Sequence, residues 1–230
     1  MNGTLQFELT NPLLRRFSAI ELLVILAALL VSFPFFDTLR ANGLIESILL
    51  TLVLISAVLA IARGRRTVII ATLLAVPTLA ARWINHYRPD LVSAEIFLIG
   101  GILFVVFVIA NLLRFVLKAP SVNTEVLCAS ISAYLLLGLL WTFGYWLVAE
   151  IIPDAFAFNS STAVDSSMKG FNGLYFSFIT LSTVGYGDIT PVSKVARMLA
   201  AMEAITGLLY VAVLIARLVA IQATPKSDET

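Results

Sequence analysis

The sequence predicts an all-α integral membrane protein: four N-terminal transmembrane helices, then two more that bracket a short helix and a re-entrant loop. Three observations carry this reading. Apolar residues make up 60% of the 230 and charged residues only 13%, against about 25% charged in a soluble domain, and the mean hydropathy is +1.00. The apolar residues fall into six runs near the roughly 20 residues that a spanning helix needs. Between the last two runs lies a segment of a different kind, Thr183-Val184-Gly185-Tyr186-Gly187-Asp188.

Residues 1–16 are mixed in character, and no small-residue cleavage site follows the first apolar run, so a cleaved signal is not expected. Phe17 to Phe36 is the first span, with Glu21 near one end and Pro34 near the other. Gly43 to Ala62 is the second. Thr67 to Ala81 is the third and weakest, at fifteen residues with a central Pro77, and Trp83 and Ile84 extend it toward the interface. Pro34 and Pro77 are expected to kink their helices. Leu91 to Leu113 is the fourth, and the four together occupy a first domain over 17–118.

A second domain covers 119–221. It opens with the fifth span, Val126 to Ala149. Glu150 to Gly170 is polar, with Pro153, Asn159, Ser160 and Ser161, and reads as an exposed turret loop. Phe171 to Ser182 reads as a short amphipathic helix, too short to span, that leads directly into 183–188. Non-helical backbone at membrane depth is tolerated only where it is buried in protein or lines a wet cavity. The sixth span is Val195 to Ile221, interrupted by Glu203 and ending near Arg217. Residues 222–230 form a tail of nine residues, too short for a nucleotide- or calcium-binding domain.

Orientation follows from basic residues in short loops. Arg15 and Arg16, then Arg63, Arg65 and Arg66, then Arg114 and Lys118, then Lys226 share one side if there are six spans. The other side has Arg40, Arg82, Arg88 and a turret with Glu150, Asp154 and Asp165. The bias places both termini in the cytoplasm of a multi-pass plasma-membrane protein, with Asp188 at an outer mouth. A third segment that failed to span would put the termini on opposite sides.

The 183–188 segment carries the chemistry. Gly185 and Gly187 have no Cβ and reach φ values closed to other residues. That freedom lets successive carbonyls point the same way, toward an ion, and rings of such carbonyls replace the hydration shell of potassium in channel filters. From Thr180-Leu181-Ser182 through Asp188, with Pro191 after it, the segment resembles the filter signature of the potassium-channel superfamily. Residues from about 126 to 221 resemble that family's whole pore module of outer helix, pore helix, filter and inner helix. The chain as a whole looks like a small bacterial six-span member with a TVGYGD filter and no conventional voltage sensor.

The resemblance implies a role for each position. The carbonyls of Thr183, Val184, Gly185 and Tyr186 would coordinate potassium, with the Thr183 hydroxyl closing the innermost site. Gly187, Asp188, Thr180 and Glu203 would support the filter, and Gly207 stands where the family commonly has a hinge glycine. The side chains of Val184 and Tyr186 would pack behind the filter. One chain supplies one filter segment, so a ring requires three further copies of the same chain. The family often has a Trp pair in the pore helix, where this chain has Tyr175 and Phe176. Some bacterial members have a Glu there that pairs with the filter Asp, where this chain has Ile179.

Glu203 is the other informative residue. A carboxylate within a span is costly and faces protein or water, and Gly207 lies one turn later on the same face. Three readings stay open: it lies behind the filter and bonds Ser177 or Thr180, it faces the cavity and concentrates cations, or it is a structurally satisfied buried acid.

Six spans with the pore last invite comparison with voltage-gated channels. Moving one charge through 100 mV is worth about 2.3 kcal/mol, so a sensor needs a ladder of basic residues. Leu91 to Leu113 has none, and its one charge is Glu95; Arg114 and Lys118 at its end snorkel. Glu21, Glu46 and Glu95 could share a polar pocket. His86, the only histidine, is too few for a metal site, although a pH-sensing role is conceivable. Cys128, the only cysteine, reads as a small buried hydrophobe. The fifteen basic and fourteen acidic residues nearly cancel, so no nucleic-acid partner is expected. No phosphate loop, EF-hand or catalytic triad spacing appears, so no cofactor and no catalysis are expected. The Asn159-Ser160-Ser161 sequon faces outward in this topology.

The function expected from the resemblance is passive, potassium-selective conduction through a homotetrameric pore in the bilayer. Alternatives are a weakly selective cation channel and a non-conducting sensor or accessory subunit. A fused uptake carrier would carry four pore repeats, and this chain has one.

Overall fold

The computed structural model describes residues 12–37, 44–61, 64–88, 90–91, 93–159 and 167–223. In chain order the elements are α1 (Pro12–Asp37), α2 (Leu44–Ala60), α3 (Arg65–Tyr87), α4 (Ala94–Lys118), α5 (Thr124–Ile151), β1 (Phe156–Phe158), α6 (Phe171–Leu181), β2 (Ile189–Pro191) and α7 (Lys194–Ala223). Four helices, α3, α4, α5 and α7, are long and apolar enough to cross a membrane, counted among the described residues. This is a helical, multi-pass membrane architecture. α1 covers the first expected span, and α2, at 17 residues, stands near the lower limit of about 17.

The third and weakest apolar segment is a continuous helix: α3 runs 23 residues, from Arg65 through Pro77 to Tyr87, and has the lowest mean hydropathy, 1.7, of the four long apolar helices. Its polar last turns are accommodated because Arg82 donates to Ser47 Oγ (3.1 Å) and Trp83 donates to Thr51 Oγ1 (3.2 Å), both on α2. The turret is not loop throughout: β1 pairs antiparallel with β2, in the register Phe156↔Pro191, Ala157↔Thr190 and Phe158↔Ile189. Pro191 lacks a donor and sits at the end of that ladder, where the loss is tolerated. The turret residues Ser160, Ser161 and Asp165 lie outside the described residues, as do Arg40, Arg63 and Lys226 from the orientation argument.

Local signals explain the helix ends nearest the site. Asn123 caps α5 by accepting from Val126 N–H (2.9 Å), and Ser193 does the same for α7 through Ala196 N–H (3.1 Å). Gly170, with φ of 62°, makes the turn into α6.

Cross-contacts show that α2, α3, α4 and α5 run antiparallel in succession. The C-terminal half of α3 meets α2 at its start, through the bonds above, and meets α4 at its start, where the Arg82 guanidinium lies 5.1 Å over the Phe97 ring. Phe97 in turn meets Phe143 near the end of α5, edge-on at 5.9 Å. α1 and α4 both pack on α5, to which α4 is joined by residues 119–123. At the opposite end, Arg217 of α7 donates to the carbonyls of Leu117 (2.9 Å) and Ala119 (3.2 Å) at the end of α4. A cation there suits a helix C-terminus.

α7 is different from the rest. Its Met198, Met202, Ile205, Leu209 and Val213 are exposed. A helix this apolar with so little covered needs lipid or other protein around it.

Candidate functional site

The 183–188 loop starts at the C-terminal end of α6 and is bonded to it. Ser182 N–H donates to Phe178 O (3.1 Å), Thr183 N–H to Thr180 O (2.9 Å), and Val184 and Gly185 N–H both to Ile179 O (2.8 and 3.2 Å). These donors satisfy carbonyls that the end of the helix leaves open. In a planar trans peptide the N–H and C=O point opposite ways. The carbonyls of Thr183 and Val184 belong to the peptides whose N–H groups face α6, so they face away from it, into open space. Ile179 contributes through its backbone oxygen.

Left-handed residues alternate along the loop: φ is 61° at Thr183, 51° at Gly185 and 79° at Gly187. This alternation turns successive peptide planes the same way, which a row of carbonyls requires. At the two glycines nothing lies within 4 Å of where a Cβ would stand. Conformation, not space, demands glycine there. Thr183 was not singled out for its backbone, and a left-handed residue with a β-branched side chain is uncommon.

Val184 is 54% exposed and Tyr186 73% exposed. The packing expected behind the filter is not made within one chain. Asp188 is held: Tyr175 OH donates to one of its carboxylate oxygens (2.8 Å) and Ile189 N–H to the other (3.0 Å). Phe176, the second of the pair that replaces Trp-Trp, is buried edge-on against Tyr145 (4.8 Å) and Phe156 (5.6 Å).

Behind α6 lies Glu203, 0% exposed. It accepts from Ser177 Oγ (2.6 Å) and, through its other oxygen, from Tyr145 OH. The carboxylate therefore joins α5, α6 and α7 at one point. Of the open readings, the cavity-facing one is excluded within this fold. Of the two candidate hydroxyls, Ser177 is the partner; Thr180 is engaged through its backbone carbonyl. Tyr145 was missed. The signal available was a tyrosine hydroxyl in the C-terminal half of an apolar helix, which must find a polar partner.

Gly207 sits in an unbroken α7 against the end of α6, where a Cβ would run into the Leu181 carbonyl. Its lack of a side chain is thus used for close approach of the two helices. Glu21 is exposed, Glu95 is partly buried, and the side chain of Glu46 lies outside the described residues. Among the described residues no group of three or more His, Cys, Asp or Glu side chains could hold a metal.

Residues 135–222 match the protein family described as "Ion channel". That match begins within α5 and ends within α7, so it takes in α6, the loop and Glu203. The matched segment is similar to an ion-channel domain. A two-pore potassium channel 3 of Arabidopsis thaliana is 34% identical to this chain over 91 residues, which is 40% of this chain and 18% of that relative. The chain thus spans less than a fifth of that relative's length. No solved structure matches this chain. The ion-channel segment contains every residue singled out for the filter and its support, and the helices α1 to α4 lie outside it.

Proposed function

We propose that this protein is a potassium-selective channel that conducts passively through a homotetrameric pore. The observation that carries the reading is the loop 183–188, in which the N–H groups of Thr183, Val184 and Gly185 are turned onto α6 while left-handed residues alternate. Thr183, Val184, Gly185 and Tyr186 supply the coordinating carbonyls. Thr180, Gly187, Asp188 and Glu203 support them. The exposed Tyr186 and the uncovered faces of α7 support a site completed by three further copies of the chain.

In this reading α1 to α4 form a four-span domain and α5 and α7 the pore pair, six spans in all. Both termini face the cytoplasm of the plasma membrane, and Asp188 faces outward. α4 carries only Glu95, Arg114 and Lys118 as charged residues, so steep voltage gating by a basic ladder is not expected. The permeant ion is the only ligand required, and no cofactor or catalysis enters.

The test is flux from liposomes holding the purified protein, with barium as blocker. Barium-sensitive potassium flux with little sodium flux is expected. Equal potassium and sodium flux would favour a weakly selective cation pore. An absence of flux under varied voltage, pH and lipid would favour a non-conducting subunit.

A further inference from the structure

The inner half of the loop is held by backbone bonds to α6. Past Gly185, no N–H of the loop is bonded to α6 among the described residues, and α6 reaches the outer end through the Tyr175 hydroxyl on the Asp188 carboxylate. The outer carbonyls are met from the turret. Directly after β1, Asn159 donates its backbone N–H to the Asp188 carbonyl (2.7 Å). Its side-chain amide donates to the Gly187 carbonyl (2.9 Å) and to Thr190 Oγ1 (3.3 Å). An amide nitrogen has two hydrogens, so both are used.

We propose that Asn159 is a positioning residue that fixes the orientation of the Gly187 carbonyl and so sets the outer limit of the coordinating row. The proposal rests on the channel reading. Gly187 is left-handed at φ 79°, and nothing crowds it. A glycine in that state changes its peptide plane at little cost. The β1–β2 pairing delivers the clamp: Phe158 opposite Ile189 places the next turret residue beside 187–188. Without the side-chain bond, the Asp188 carbonyl keeps the Asn159 backbone N–H, while the Gly187 carbonyl is left to be oriented by the attraction of a bound cation. The loop then depends on external potassium to stay ordered.

The same geometry bears on the Asn159-Ser160-Ser161 sequon. A glycan attached to the amide nitrogen removes one of the two hydrogens in use, so the sequon and the clamp compete for the same atom.

The experiment uses full-length protein made in cells that add no glycans, reconstituted in liposomes as wild type, Asn159→Ala and Asn159→Asp. The second variant keeps the shape but replaces the donor with an acceptor. Asn159 is exposed, and only protein that elutes as the wild-type oligomer is measured. Loss of one hydrogen bond predicts a conductance about tenfold lower in both variants at low external potassium. High external potassium is expected to restore it. Wild-type conductance in both variants at every external potassium level would overturn the proposal. So would a loss that external potassium does not restore, because that marks general damage. A wild type that passes no potassium brings down the channel reading and this proposal with it.

Discussion

The hydroxyl of Ser177 lies 2.6 Å from a carboxylate oxygen of Glu203 and 2.7 Å from the Gly138 carbonyl. A serine has one hydroxyl hydrogen, so it serves one of these acceptors at a time. Among the described residues, Glu203 is thus held by the hydroxyl groups of Ser177 and Tyr145. Its place between α5, α6 and α7 makes it a joint of these three helices.

Glutamine at this position brings its own donor for Ser177 and keeps an oxygen for Tyr145. Glu203→Gln is therefore expected to assemble and conduct within about threefold of wild type. Glu203→Ala leaves two buried hydroxyls without their partner and a void, at about 2–5 kcal/mol. Thermal unfolding of the oligomer reads the second effect, and liposome flux reads the first. Lost conduction in an intact Glu203→Gln oligomer would show that the charge itself is required.

Tyr175→Phe removes the 2.8 Å bond to Asp188 and leaves that carboxylate with its backbone donor alone. Faster decay of conduction after opening is expected, with unchanged assembly. Unchanged decay in an assembled Tyr175→Phe oligomer would contradict this.

Much of this site is readable along the chain because its chemistry is local. A filter hexapeptide, a short helix before it and apolar runs around it are contiguous, and the helices appear within a few residues of the expected limits. The features that were not legible are those joining distant segments. Tyr145 meets Glu203 across 58 residues. β1 is three residues long, too short to show an alternating pattern, and it exists because Ile189–Pro191 pairs with it. Pro77 made the third span look weak, while the bonds from Arg82 and Trp83 to α2 could not be read from one helix alone. The left-handed Thr183 has no compositional signal, since it is imposed by bonding to the end of α6.

Gly207→Ala tests close approach against hinge motion. A methyl at 207 meets the Leu181 backbone, which cannot rotate away. Overpacking of this kind costs about 1–3 kcal/mol. A lower unfolding temperature is expected, together with altered conduction. A fully stable Gly207→Ala oligomer with changed opening alone would favour the hinge.

Arg217 joins the end of α4 to the C-terminal part of α7 by its bonds to the Leu117 and Ala119 carbonyls. Charge-assisted bonds of this type are worth about 1.5–3 kcal/mol. Arg217→Gln is expected to lower the unfolding temperature and to change the open fraction, with selectivity unchanged. Selectivity that shifts along with the open fraction would place Arg217 in a different role.

Selectivity itself is the most direct test of the central claim. The current reversal potential is measured across a bilayer holding the purified oligomer, with potassium and sodium in opposed gradients. The account predicts a reversal close to the potassium equilibrium potential. A reversal near zero under those gradients, or no current at all, would contradict it.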